Sequence, residues 1–181
     1  MKKKWLSVLL AGTMLLAACG NNSGELSKED HNDHHQTKTT ETTEHTNHAN
    51  HQHKLANGDL QEETKSAEIL PSFLENQTED LKLVYKAAGQ ATEILKWMPC
   101  YCGCAESANH KSNLNCFIKE VKDNGAVVWD DHGTRCIVCV EIAIKSIKQA
   151  QEGASLKEIR KQIDQDYKEG YSTPTPTPMP S

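Results

Sequence analysis

Downstream of residue 78 the apolar residues fall into stripes of helical period. Leu81, Val84, Ala88, Ala91 and Leu95 recur at spacings of three and four, which predicts a helix from about Glu79 to Trp97. Thr78 stands where an N-cap belongs and Pro99 where a helix stops. A second stripe runs through Cys136, Val140, Ala143, Ile147 and Ala150, with Ile137, Ile144 and Lys148 on the neighbouring face, and predicts a helix from near Thr134 to Gly153. Ser155-Leu156-Lys157-Glu158 then has capping-box form, and Ile159, Ile163 and Tyr167 follow at helical spacing, giving a third helix. Between the first two helices the pattern changes. Cys116–Val121 and Ala126–Trp129 are β-prone runs on either side of Asn124-Gly125, the preferred dipeptide of a tight hairpin. With those two residues as the loop, Val121 faces Val128, Lys119 faces Asp130, and Cys116 comes to lie across from Gly133. Phe117, Ile118 and Val121 also fit one helix face, so a helix over 112–122 stands as the alternative. The expected fold is mainly α, in the α+β class: a small helical domain over residues 66–171, with one β-hairpin carrying part of a cysteine cluster.

Both ends depart from this patterning. Lys2, Lys3 and Lys4 precede an apolar run from Trp5 to Leu16, too short to span a membrane, and Leu16-Ala17-Ala18-Cys19 has the form of a lipobox. Residues 1–18 are therefore expected to be a lipoprotein signal peptide and Cys19 the lipidated residue. Several acyl chains on one cysteine, palmitate among them, would hold the protein on the extracytoplasmic face of the cell membrane. From 19 to 65 the chain is polar and almost free of large apolar groups, which predicts a disordered tether. It carries His31, His34, His35, His45, His48, His51 and His53, a tract suited either to collecting Zn²⁺, Cu²⁺ or Ni²⁺ weakly or to serving as a solvated spacer. Residues 172–181 alternate threonine with Pro174, Pro176, Pro178 and Pro180, which predicts a mobile, extended tail. Cleavage of the signal removes three lysines and takes the formal net charge from −5 to −8, so nucleic acid is not an expected partner.

Candidate chemistry lies in the thiols. Apart from Cys19, all cysteines fall between positions 100 and 139: Cys100, Cys102, Cys104, Cys116, Cys136 and Cys139. Alternate positions let the first three converge, and Cys136 and Cys139 lie one turn apart at a helix start, where free amides favour thiolate. With His110 and His132 nearby, this is a pattern of soft-metal ligands. Zn²⁺ takes four such groups, whereas Cu⁺ is satisfied by two or three thiolates, with Met98 as a further donor. Asp130 and Asp131 flank His132 either as carboxylates orienting its ring or as solvated residues. Trp97 and Trp129 read as core or rim. An even number of thiols outside the membrane also suits a disulfide-stapled interaction domain, and the Cys102/Cys104 and Cys136/Cys139 spacings suit a thiol–disulfide redox protein. That redox chemistry is the one enzyme class with support, since no phosphate loop, Gly-x-Ser-x-Gly or His-Glu-x-x-His occurs.

The string Pro99-Cys100-Tyr101-Cys102-Gly103-Cys104, with His110–Cys116 and Trp129–Cys139 downstream, resembles the PCYCGC-motif lipoproteins of bacilli and their relatives. The resemblance implies a surface lipoprotein of a Gram-positive cell and supplies no reaction. The reading that follows from the residues is a lipid-anchored protein binding copper or zinc through its cysteines, for buffering, delivery or sensing, with a metal-donor or metal-acceptor protein as its partner. Cys19→Ala should release the protein from the membrane fraction or leave it unprocessed. Retention there at the parent's mature mass would contradict lipidation.

Overall fold

The computed structural model describes residues 52–181. The expected signal, Cys19 and six of the seven tether histidines, His31 through His51, lie outside that range. Four antiparallel strands form one sheet in the order β1-β2-β4-β3. They are β1 (Gln52–Lys54), β2 (Leu60–Thr64), β3 (Ile118–Val121) and β4 (Val127–Asp130). Helices α1 (Glu79–Gln90), α2 (Thr92–Leu95), α4 (Ile137–Gln151) and α5 (Leu156–Asp166) accompany it, with the single-turn α3 (Cys104–Ser107) between them.

The α+β class matches the sequence reading, but the sheet is larger than one hairpin. Residues 52–64, read as the end of a disordered tether, form the β1–β2 hairpin and pair with β4 from Gln61↔Asp130 to Thr64↔Val127. Composition concealed this because the strand buries polar groups. Glu62 is 2 % exposed, yet its carboxylate accepts from Gln52 Nε2 (2.9 Å), Ser72 N (2.7 Å) and Ser72 Oγ (2.8 Å). Thr64 Oγ1 accepts from Trp129 Nε1 at 2.8 Å. Buried polar groups with partners carry little penalty, and these partners are distant in sequence.

In the β3–β4 hairpin the register is one residue away from the expected one. Val121 pairs with Val127 and Glu120 with Val128, and an irregularity at Lys119 sets Ile118 opposite Trp129. The turn causes the slip. Gly125 N donates to Lys122 O (2.9 Å) and Lys122 N to Ala126 O (2.8 Å), so the loop holds Asp123, Asn124 and Gly125 rather than two residues. Gly125 takes the left-handed conformation (φ +86°) that ends such three-residue loops. Cys116 is not in a strand; it closes a 3-10 turn over Asn113–Cys116. The expected neighbour is nonetheless beside it, since a Cβ on Gly133 would stand 3.0 Å from the Cys116 carbonyl.

The first helix starts as expected, with Thr78 Oγ1 accepting from Leu81 N at 3.3 Å, but it breaks at Ala91 instead of running to Trp97. The break follows Gly89, a weak helix former. In α4 the buried face is Cys139, Ile142, Ala143 and Ser146, rotated from the expected stripe, and Ile137 and Ile144 are exposed. That helix carries apolar residues all round, so periodicity alone could not choose its inner face. α5 has the expected capping box and buries Ile159 and Ile163. The core joins these to Trp129, Tyr85, Phe117, Leu95 and Met98, while Trp97 packs partly buried at its edge.

The Thr/Pro segment is docked, not mobile. Ser172 N donates to Tyr101 O (3.0 Å), Thr175 N to Cys100 O (2.9 Å) and Cys100 N to Thr175 Oγ1 (2.8 Å). The Arg160 guanidinium donates to the carbonyls of Thr177 (3.1 Å) and Pro178 (2.9 Å). Proline supplies an extended backbone without donors, and the intervening threonines supply the bonds that fasten it.

Gly89 carries a test of the packing. Alanine is favoured over glycine by about 1 kcal/mol inside a helix. Here its Cβ would stand 2.9 Å from Trp129 Cη2, a fully buried ring. Overpacking of this kind costs roughly 1–3 kcal/mol. Gly89→Ala should therefore lower the thermal midpoint, and a raised midpoint would show that the Trp129 contact yields easily.

Candidate metal centre

The Pro99–Cys104 loop is pinned on its outer side by the Thr/Pro strap and turns at Gly103, whose φ of +87° few other residues adopt. That turn points Cys104, the first residue of α3, back toward Cys100. A second left-handed residue, Asn109 (φ +54°), redirects the chain so that His110 is buried beneath the loop. Cys116 arrives from the 3-10 turn, Cys136 from the extended residue that caps α4, and Cys139 from the first turn of that helix. Asn113 Nδ2 fixes this turn by donating to Cys139 O at 3.0 Å.

All eight residues predicted as ligands meet in one place. Cys139 Sγ lies 3.1 Å from Cys116 Sγ, 3.3 Å from Cys100 Sγ and 3.6 Å from Cys102 Sγ. Cys100 and Cys102 are 3.4 Å apart, and Cys104 is 3.8 Å from Cys116. His110 Nδ1 stands 3.6 Å from Cys116 Sγ and His132 Nε2 3.9 Å from Cys102 Sγ. Cys136 joins Cys102, His132 and Cys139 in a group whose ligand atoms all lie within 4.8 Å of one another. Zinc–sulfur bonds of about 2.3 Å place tetrahedral sulfurs about 3.8 Å apart; the Cys102–Cys139 and Cys104–Cys116 distances are close to that, while the other three pairs are packed more tightly. None of the six thiols is in a disulfide.

The carboxylate that orients an imidazole is Asp59, which the sequence reading left inside the tether. Both of its oxygens stand 3.3 Å from His132 Nδ1, and it also accepts from Arg135 and from Asn57 Nδ2 (2.6 Å). Neither of the two expected acids faces the ring. Asp130 accepts from His132 N (3.0 Å) and Gln61 Nε2 (2.8 Å), and Asp131 from Leu60 N (2.7 Å) and Arg135 Nη1 (2.6 Å). Asp59 gave no sequence signal beyond an Asn-Gly-Asp turn. His53, in β1, is exposed and stands apart from this group.

Crowding divides the protons unevenly. The Cys102 thiol is pushed down by hydrogen bonds from Cys100, Cys104, Cys116 and Cys136. For Cys100 the contact with Cys102 acts upward, but Cys104, Cys116 and Cys139 outweigh it and lower the thiol to about 4. Cys139 is raised by its contacts with Cys100 and the other sulfurs, and Cys116 is raised by burial first and those contacts next. Hydrogen bonding to Cys102 and Cys136 lifts His132 to about 10, whereas burial, then the proximity of His132, lowers His110 to about 4. The cluster thus keeps thiolate at the Cys100–Cys102 end beside an imidazolium, and a soft cation held there would displace the remaining protons.

A family model described as a protein of unknown function with PCYCGC motif matches residues 8–180. No curated protein and no solved structure matches the chain.

His110 sets an acid limit on the metal-free domain. Its pKa in the folded state lies below the ordinary value of about 6.5, so its contribution is complete above that pH and fades as pH falls toward 4. The shift corresponds to roughly 3 kcal/mol at full protonation. His110→Asn should flatten the stability-versus-pH slope between those limits in denaturant unfolding of the metal-free protein. An unchanged slope would mean that the imidazole is not held neutral.

Proposed function

Since the chain belongs to the PCYCGC-motif family, whose function is unknown, we propose from its own residues that it is a soft-metal-binding protein. Copper or zinc is the ion, taken up through the cysteine cluster for buffering, delivery or sensing. The observation that carries this reading is the connectivity of the sulfurs. Cys139 touches three others, and Cys100, Cys102 and Cys116 touch two each. A disulfide framework needs three separate pairs, whereas shared neighbours are what ions surrounded by thiolates require. The Asp59–His132 contact adds support, because a carboxylate on one ring nitrogen presents the other to a metal. Both ions bind thiolate and imidazole, and the choice between them rests on coordination number.

The protein acts, in this proposal, at the outer face of the cell membrane, held there through Cys19, and exchanges metal with a donor or acceptor protein. The His-rich segment raises the local supply of ions.

Mass spectrometry of the mature protein provides the test. Under native conditions the mass should exceed the sequence mass by bound Zn²⁺ or Cu⁺, and under denaturing conditions alkylation of the metal-free chain should label six thiols without prior reduction. Cys139→Ser should lower affinity beyond the 10–100-fold typical of losing a mere outer partner, on the order of a direct ligand's loss. Three disulfides, with no labelling before reduction, would overturn the reading in favour of a stapled domain.

A further inference from the structure

The eight donors divide by burial and by direction into two sets of the same composition. Cys102, His132 and Cys136 are half-buried and form with Cys139 a group of one nitrogen and three sulfurs within 4.8 Å. Cys104, His110 and Cys116 are buried and form a second group at the same spacing, with His132 as its fourth member. His132 has one nitrogen to give: Nδ1 faces the Asp59 carboxylate, and Nε2 is directed at Cys102. It therefore completes the half-buried set. The fourth place in the buried set falls to Cys100, which groups at ligand spacing with Cys104 and also with Cys116. Each set is then three thiolates and one imidazole, the donor number and type of a closed tetrahedral zinc site. They meet edge to edge where Cys139 contacts Cys100 (3.3 Å) and Cys116 (3.1 Å).

The geometry points to a centre for two ions with different access, an inner one held by Cys100, Cys104, His110 and Cys116 and an outer one held by Cys102, His132, Cys136 and Cys139. This rests on the metal-binding reading and assigns it an order. The inner ligands are each no more than 6 % exposed, and two of them, Cys100 and Cys104, belong to the loop that the Thr/Pro strap fastens. Three of the outer ligands, Cys102, His132 and Cys136, reach the surface while Cys139 is buried at the junction of the two sets, and Cys136 also lines an apolar cleft of about 420 Å³ between α1 and α4, beside Leu81, Val84, Ile137 and Val140. The inner ion is retained and structural. The outer ion enters and leaves, and is the one a partner exchanges.

The test uses the full mature chain loaded with Zn²⁺, passed over a chelating resin to strip weakly held ions, and mixed with a chromophoric chelator. Two equivalents should leave in two phases of equal amplitude. Cys136→Ser should lose the fast equivalent and keep the slow one; Cys104→Ser should lose the slow one. Should the buried Cys104 variant fail to fold, seen by circular dichroism, the wild-type phases and the surface-side Cys136→Ser decide the matter. One equivalent in total, or two leaving together, would overturn this assignment while the metal-binding reading stood. No equivalent retained by the resin-treated protein would overturn that reading itself.

Discussion

Six sulfurs crowded into one cluster, four of them buried, cannot all carry charge without a counter-ion. This constraint governs the arrangement around them. In low-dielectric surroundings neighbouring thiolates repel strongly, so the metal-free cluster keeps protons on Cys116 and Cys139, ionises at Cys100 and Cys102, and draws a proton onto His132. The imidazolium is in turn balanced by Asp59, and Asp59 by Arg135. Charge alternates outward from sulfur to solvent through one side chain at each step. A neutral buried His110 on the opposite side offers a lone pair instead of a charge.

Such a relay explains why the β1–β2 hairpin belongs to the domain. Its turn delivers Asp59 to His132, its second strand delivers Gln61 to Asp130, and Leu60 N reaches Asp131, so three polar contacts tie it to residues 130–132. The hairpin buries little apolar surface of its own. What fixes it is a ladder to β4 and a set of polar partners, which is also why hydrophobic patterning passed over it.

Much of the rest was legible. The helix starts at Thr78 and Ser155 follow from caps that act locally, and the six cysteines and two histidines that converge were picked out by residue type and spacing. Local chemistry fails where a long-range partner decides. The β3–β4 register turned on one additional loop residue, because Gly125 adopts its left-handed conformation as the last residue of a three-residue loop. The inner face of α4 turned on Cys139, drawn inward by its sulfur neighbours and by Asn113 rather than by the apolar stripe. The threonines of the strap bond to Cys100 and Lys111, positions that no local pattern connects to residues 175–177.

Because residues 172–178 brace the backbone of Cys100 and Tyr101, the thiol loop is completed by a segment synthesised well after it. A ribosome making this chain from its N-terminus releases Cys100, Cys102 and Cys104 before their clasp has been synthesised. During that interval the thiols meet solvent with their enclosure incomplete. Assembly therefore has a direction, and the clasp marks its last step.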